Sequence, residues 1–145
     1  MVDAFVNGIR TLYSIDGPPD GRAIMLSHSL ASDCSIWEPQ VATFRARYRV
    51  LTYDIRGHGG TEAPSGPCSL DDLVEDAVAL LDRLGIDKAH FVGLSLGGMV
   101  GQLFALRYPD RLLSLVLCDT ASEMRSTAWA ERIATALREG MEPLV

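Results

Sequence analysis

A single serine, Ser95, sits inside Gly93-Leu94-Ser95-Leu96-Gly97, with Gly98 directly behind. A serine hydroxyl attacks a carbonyl carbon once a base takes its proton, and the oxyanion that forms needs fixed N–H donors. Glycine two residues either side is what a chain requires to turn sharply from strand to helix around one residue, because side chains there would hold the two elements apart. The flanking residues agree. Ala89-His90-Phe91-Val92 reads as a strand, and Leu96 to Tyr108 reads as a helix stopped by Pro109. Ser95 is the candidate nucleophile, and the N–H of Leu96, at the positive end of the helix, is one candidate oxyanion donor.

A second donor is expected from the loop that follows the third strand. That loop reads Leu26-Ser27-His28-Ser29-Leu30-Ala31-Ser32-Asp33, and the backbone N–H of Leu30 is assigned to the role. Three histidines compete for the base. His28 lies in this loop, either as a base or as a residue shaping the loop from behind; its place on the oxyanion side favours shaping. His58 falls in Arg56-Gly57-His58. His90 precedes Ser95 by five residues within the strand, so its ring belongs to the sheet.

The elements that must hold these residues alternate in period. Asp3 to Val6 and Arg10 to Ile15 read as strands joined at Asn7-Gly8, a strong hairpin signal. Ala23-Ile24-Met25-Leu26 is a continuous apolar run, as expected of a strand buried on both faces. A short helix follows Trp37, and Tyr48 to Tyr53 is again strand-like. Leu70, Leu73, Val74, Ala77, Val78, Leu81 and Leu84 recur at helical steps, with Ser69 as N-cap, Asp71 and Asp72 in the first turn, and Gly85 at the end. Leu112 to Cys118 is a sixth strand. From about residue 126 to 139 a last helix carries Trp129, Ile133 and Leu137 at four-residue steps, a stripe expected to pack on a core or line a cavity. A hairpin followed by alternating strand and helix predicts an α/β fold: a mainly parallel, doubly wound sheet with an antiparallel hairpin at its N-terminal edge. Ligands of such sheets gather at the carboxyl ends of the strands, where Ser95 lies.

Composition narrows the partners. Over 145 residues, 48% are hydrophobic and 22% charged, with a net charge of −6. That is one modest globular domain with no basic face for nucleic acid or an anionic membrane. Arg45, Arg47 and Arg49 read as a solvated strand end. Cys34, Cys68 and Cys118 form an odd set without metal spacing, consistent with reduced thiols in a cytoplasmic setting; Cys118, in an apolar run, reads as an ordinary buried thiol. Neither a signal peptide nor a run of membrane-spanning length is visible.

Several motifs in order resemble the α/β-hydrolase family. Ser27-His28-Ser29-Leu30 resembles its His-Gly-x oxyanion segment, with Ser29 where glycine is commoner. Tyr53-Asp54-Ile55-Arg56-Gly57-His58-Gly59-Gly60 resembles the Asp-x-Arg-Gly-His-Gly stretch, and Gly93 to Leu117 resembles the elbow, its helix and the next strand. The wording is most like 3-oxoadipate enol-lactonases and the small esterases and haloperoxidase-like enzymes near them. By that resemblance Arg56, Gly57 and His58 build the turn under the site rather than act in it. The resemblance implies an ester or lactone as substrate, a Ser95 acyl-enzyme, Leu30 and Leu96 as oxyanion donors, and no cofactor or metal. It also implies a triad in the order serine, acid, histidine, yet no histidine follows Ser95. Asp119, at the end of the sixth strand, reads either as a carboxylate that positions the absent histidine or as one that fixes its own loop. On this reading residues 1–121 are the N-terminal half of a hydrolase core, truncated after about the sixth strand, and 122–145 begin a helical cap. Arg125 and Arg132 there would meet a substrate carboxylate or lie on the surface. Two expectations follow: a complementary chain or segment supplies cap, acid and histidine, or the polypeptide is an inactive or structural piece. Within the same fold, the alternative to ester or lactone hydrolysis is haloperoxidase-like or C–C bond hydrolase chemistry at the same serine.

Overall fold

Both residues of the Asn7-Gly8 turn have positive φ, 46° and 79°. That twist joins β1 (Val2–Val6) to β2 (Ile9–Asp16) in a tight antiparallel hairpin with Val6 opposite Ile9. The computed structural model describes residues 1–123, 129–140 and 142. Strands β3 (Ala23–Ser27), β4 (Arg49–Tyr53), β5 (Ala89–Leu94) and β6 (Leu112–Cys118) complete one six-stranded sheet in the order β1-β2-β4-β3-β5-β6. β2 runs antiparallel to β4; the β3–β4, β3–β5 and β5–β6 pairs are parallel. This is the expected doubly wound sheet with its antiparallel edge.

Strand β3 is central and buried at every position, which explains its unbroken apolar run. Its side chains alternate between two layers. Ile24 and Leu26 join Val50 and Trp37 beneath α1 (Glu38–Phe44), while Met25 joins Leu51, Phe91, Val100 and Phe104 beneath the other helices. A 3₁₀ turn, Cys34–Trp37, leads into α1.

Helix α2 (Leu70–Arg83) has reciprocal capping. The Ser69 N–H donates to the Asp72 carboxylate at 2.8 Å, and the Asp72 N–H donates to Ser69 Oγ at 3.2 Å. At its other end Gly85 takes φ +65°, so that Ile86 N–H reaches the Leu81 carbonyl at 2.9 Å and closes the helix. The buried face is wider than the seven-residue stripe predicts: Leu80 and Asp76 belong to it as well.

Two expectations change. Cys118 is only half-buried, because β6 is the outer strand of the sheet; the buried thiol is Cys34. The stripe of α4 (Ala130–Glu139) does not pack among the described residues: Ile133 is 54% and Leu137 84% exposed, and the helix has no buried residue. Arg132 lays its guanidinium over the Trp129 ring at 5.0 Å, on the surface. Arg125 and the first residues of the predicted last helix lie outside the described residues.

Candidate active site

Ser95 joins the last residue of β5 to α3 (Leu96–Arg107) with no residue to spare. Its φ of 51° and ψ of −109° are unfavourable for a residue with a Cβ, and the surroundings must hold it there. They do so from three sides. Its N–H donates to the Cys118 carbonyl at 2.9 Å, and its own carbonyl accepts Met99 N–H at 3.1 Å and the Thr120 hydroxyl at 2.7 Å. A side chain on Gly93 would overlap the Gly97 carbonyl, and one on Gly97 would overlap the Ser27 and His28 carbonyls. The glycines are there because strand, helix and loop meet backbone to backbone. Gly101 continues the contact, facing Phe91 and Leu115, whereas Gly98 faces Thr120. The Ser95 hydroxyl has no hydrogen-bond partner among the described residues.

The loop after β3 is fastened to this turn. Gly97 N–H donates to the His28 carbonyl at 3.0 Å, bringing residues 28–30 alongside the first turn of α3. The N–H groups of Leu30 and Leu96 have no protein acceptor among the described residues, so the two predicted donors remain available. Ala31, with φ +57°, turns the chain back immediately after Leu30.

His28 is fully buried, and both ring nitrogens are occupied. Nε2 accepts Ile55 N–H at 2.9 Å, which leaves the proton on Nδ1, 2.7 Å from the Ser29 carbonyl. Burial lowers its pKa, with the neighbouring His58 acting the same way. A neutral ring spent on two backbone bonds shapes the loop and cannot serve as a base.

The other histidines are also engaged. His58 stands edge-on to His28 with centroids 5.2 Å apart, its Nδ1 3.1 Å from the Arg56 carbonyl. His90 Nδ1 pairs with Ser114 Oγ across β5 and β6 at 2.8 Å. None of the chain's three histidines is hydrogen-bonded to Ser95. Asp119 is exposed, with φ +42°, immediately before the Thr120 that holds the Ser95 carbonyl.

Beneath the site, Asp54 and Asp76 organise the loop after β4. Asp54, buried, accepts N–H bonds from Cys34 at 2.9 Å and Gly60 at 2.8 Å. Asp76 receives Arg56 through two bonds of 2.6 Å and Asn7 Nδ2 at 2.7 Å. Asp33, Cys34 and Asp54 bring their donor atoms together, but both Asp54 oxygens hold backbone, and burial beside that carboxylate pushes the Cys34 thiol up to about 12. The group acts as a loop anchor.

Sequence reasoning passed over Thr120, Ser32, Asp54 and Asp76. Asp76 had a signal: it lies three residues after Leu73 and so shares a side of the helix with the predicted apolar stripe. Thr120 and Ser32 act through backbone carbonyls, which residue type and spacing do not reveal.

A mixed, mainly parallel sheet with helices on both faces, and a strained serine between the fifth strand and its helix, defines an α/β-hydrolase architecture. The alpha/beta hydrolase fold model matches residues 22–142, and the chain belongs to that family. It is 38% identical over 133 residues to 3-oxoadipate enol-lactonase 2 of Acinetobacter baylyi, covering 91% of this chain and 50% of that protein. The crystal structure of the enol-lactonase from Burkholderia xenovorans LB400 superposes with a TM-score of 0.94 at 43% identity, over 99% of this chain and 56% of that one. A thermophilic esterase from Thermogutta terrifontis gives 0.86 at 30% identity, over 96% and 54%. The chain thus spans about half the length of these relatives. Among the described residues no helix is long and apolar enough to cross a membrane.

Proposed function

We propose that this chain is the nucleophile-bearing half of a serine hydrolase that opens a carboxylic ester or lactone, of the 3-oxoadipate enol-lactonase kind. The observation that carries the reading is Ser95 itself: φ 51° and ψ −109°, maintained by bonds from Cys118, Met99 and Thr120, with its hydroxyl unspent. Strain supported from three sides at one half-buried turn is what a preorganised nucleophile requires.

In this mechanism Ser95 Oγ attacks the substrate carbonyl as its proton passes to a histidine. The oxyanion is received by the N–H groups of Leu30 and Leu96, reinforced by the N-terminal end of α3. Collapse breaks the acyl carbon–oxygen bond, the leaving oxygen takes the proton back, and water then hydrolyses the Ser95 ester. The histidine and its carboxylate come from polypeptide beyond these 145 residues, in the same or a complementary chain. Residues 1–121 serve as the core half and 122–145 as the start of a cap. Asp119 orients its own loop or the incoming histidine. The lactone reading draws on the lactonase names of two relatives, and the ester reading on the esterase.

The test is a panel of an enol-lactone, a saturated lactone and simple aryl esters, offered to the enzyme assembled with its acid- and histidine-bearing polypeptide. Preference for the enol-lactone is expected. Ser95→Ala should lower kcat by on the order of 10⁴- to 10⁶-fold with folding retained. Turnover that survives this substitution contradicts the mechanism.

A further inference from the structure

The Ser29–Leu30 peptide has one face tied down. The Ser29 carbonyl accepts the His28 Nδ1–H at 2.7 Å and the Ser32 hydroxyl at 2.8 Å, and Ser29 Oγ lies 3.0 Å from Ser32 Oγ. A trans peptide is planar, so its C=O and the following N–H point in opposite directions. Holding the Ser29 oxygen toward His28 and Ser32 therefore turns the Leu30 N–H the other way. We propose that His28 and Ser32 are positioning residues that aim the Leu30 N–H at the oxyanion by clamping the Ser29 carbonyl. The inference rests on the reading of Leu30 as an oxyanion donor.

The clamp works in one tautomer only. If Nδ1 lacked its proton, it would oppose the Ser29 oxygen lone pair to lone pair. The Ile55 N–H, donated into Nε2, excludes that form, because Nε2 cannot hold a proton and accept at once. The ring is thus set from the loop after β4 and acts on the loop after β3. The His28 carbonyl, held by Gly97 N–H, ties the same residue to the elbow. The groups facing the ring are His58, edge-on at 5.2 Å, and the Asp54 and Asp33 carboxylates. Ala31 in the left-handed region folds the chain so that the Ser32 hydroxyl returns to Ser29.

Two amide replacements separate the ring's two tasks. In His28→Asn the side-chain NH₂ falls near the Nδ1 position and still donates to Ser29; in His28→Gln the amide oxygen falls near Nε2 and still accepts from Ile55, but the clamp is gone. Loss of one oxyanion donor lowers kcat by about 10²- to 10³-fold in known hydrolases. In the assembled enzyme, His28→Gln should therefore lower kcat by on the order of 10- to 100-fold with KM little changed, and His28→Asn by about tenfold less. Ser32→Ala should cost a few-fold, and His28→Gln with Ser32→Ala should approach the loss of the whole donor.

Equal kcat losses in His28→Asn and His28→Gln, tracking their stabilities, would reduce His28 to a structural residue and overturn the proposal. So would wild-type kcat in the double variant while Ser95→Ala is inactive; an active Ser95→Ala would instead overturn the nucleophile reading itself. If neither His28 variant folds, ¹⁵N spectra of the wild-type ring decide. Protonated Nδ1 with bare Nε2, together with a kcat-only loss in Ser32→Ala, supports the clamp; protonated Nε2 refutes it.

Discussion

Around Ser95 the backbone is tied from every direction, whereas along β6 and α4 apolar side chains stand in solvent. The elbow meets the β3 loop through Gly97 and His28, and β6 through Ser95 with Cys118 and Thr120. It rests on a layer where Met25, Leu51, Val74, Leu80, Phe91 and Phe104 are fully buried. On the other side, Leu113, Val116 and Leu117 are each more than two-fifths exposed, and Leu137 almost wholly so. Both regions are rich in leucine and valine. What separates them is place in the sheet: β3, β4 and β5 are covered on both faces, and among the described residues β6 has a strand on one side only. The chain's own stability therefore resides in β3, β4, β5, α2 and α3, and the strained turn is built where that stability is greatest. Strain of this kind persists only where its surroundings over-determine it.

This contrast can be broken most forcefully beneath the site. The Arg56–Asp76 pair is nearly buried, its side chains 11% and 4% exposed. Arg56→Met leaves the Asp76 carboxylate uncompensated, and should destabilise the chain by about 3–5 kcal/mol in urea unfolding. Changing Asp76→Leu in the same chain should recover much of the loss, because no buried charge then remains. A loss under about 1 kcal/mol for Arg56→Met would show that the loop after β4 does not depend on the pair.

A smaller effect is expected from pH. Burial, and then His58, hold the His28 pKa below its unfolded value of about 6.5. Between those two values the unfolded chain binds more protons than the folded one, so stability falls as pH drops below about 6.5. The stabilisation is fully present above that pH. The slope from this residue is at most about 1.4 kcal/mol per pH unit, and His28→Gln should remove it. An unchanged slope in that variant would contradict the neutral buried ring.

The smallest effect belongs to the exposed side. Leu117→Ala should change the stability of this chain by less than about 1 kcal/mol, against the 2–5 kcal/mol typical of truncating a buried leucine such as Leu80. A Leu117 value equal to that for Leu80 would erase the contrast between the two regions.

These regions also differed in how far residue patterns disclosed them. The hairpin at Asn7-Gly8, the capped α2 and the strand–serine–helix turn were legible because each has a strong local cause: positive φ, reciprocal capping, or close backbone approach. The β6 residues read equally well as a strand, but apolar composition does not say which strand lies at an edge. Hence Cys118 was expected to be buried and is not. The Trp129-Ile133-Leu137 stripe has helical spacing, and spacing alone does not supply a surface to pack on. Thr120 and Ser32 were missed for a different reason, since their hydroxyls bond carbonyls that are neighbours only after the chain has folded.

The central claim is that Ser95 is the nucleophile. It is tested most directly by treating the assembled enzyme with a serine-reactive phosphonate and locating the adduct by peptide mass. The account predicts one phosphonyl group, on Ser95, within the peptide that spans Gly93 to Gly97, and no labelling of Ser95→Ala. Inhibition with Ser95 unmodified, or an adduct on another residue, would contradict it.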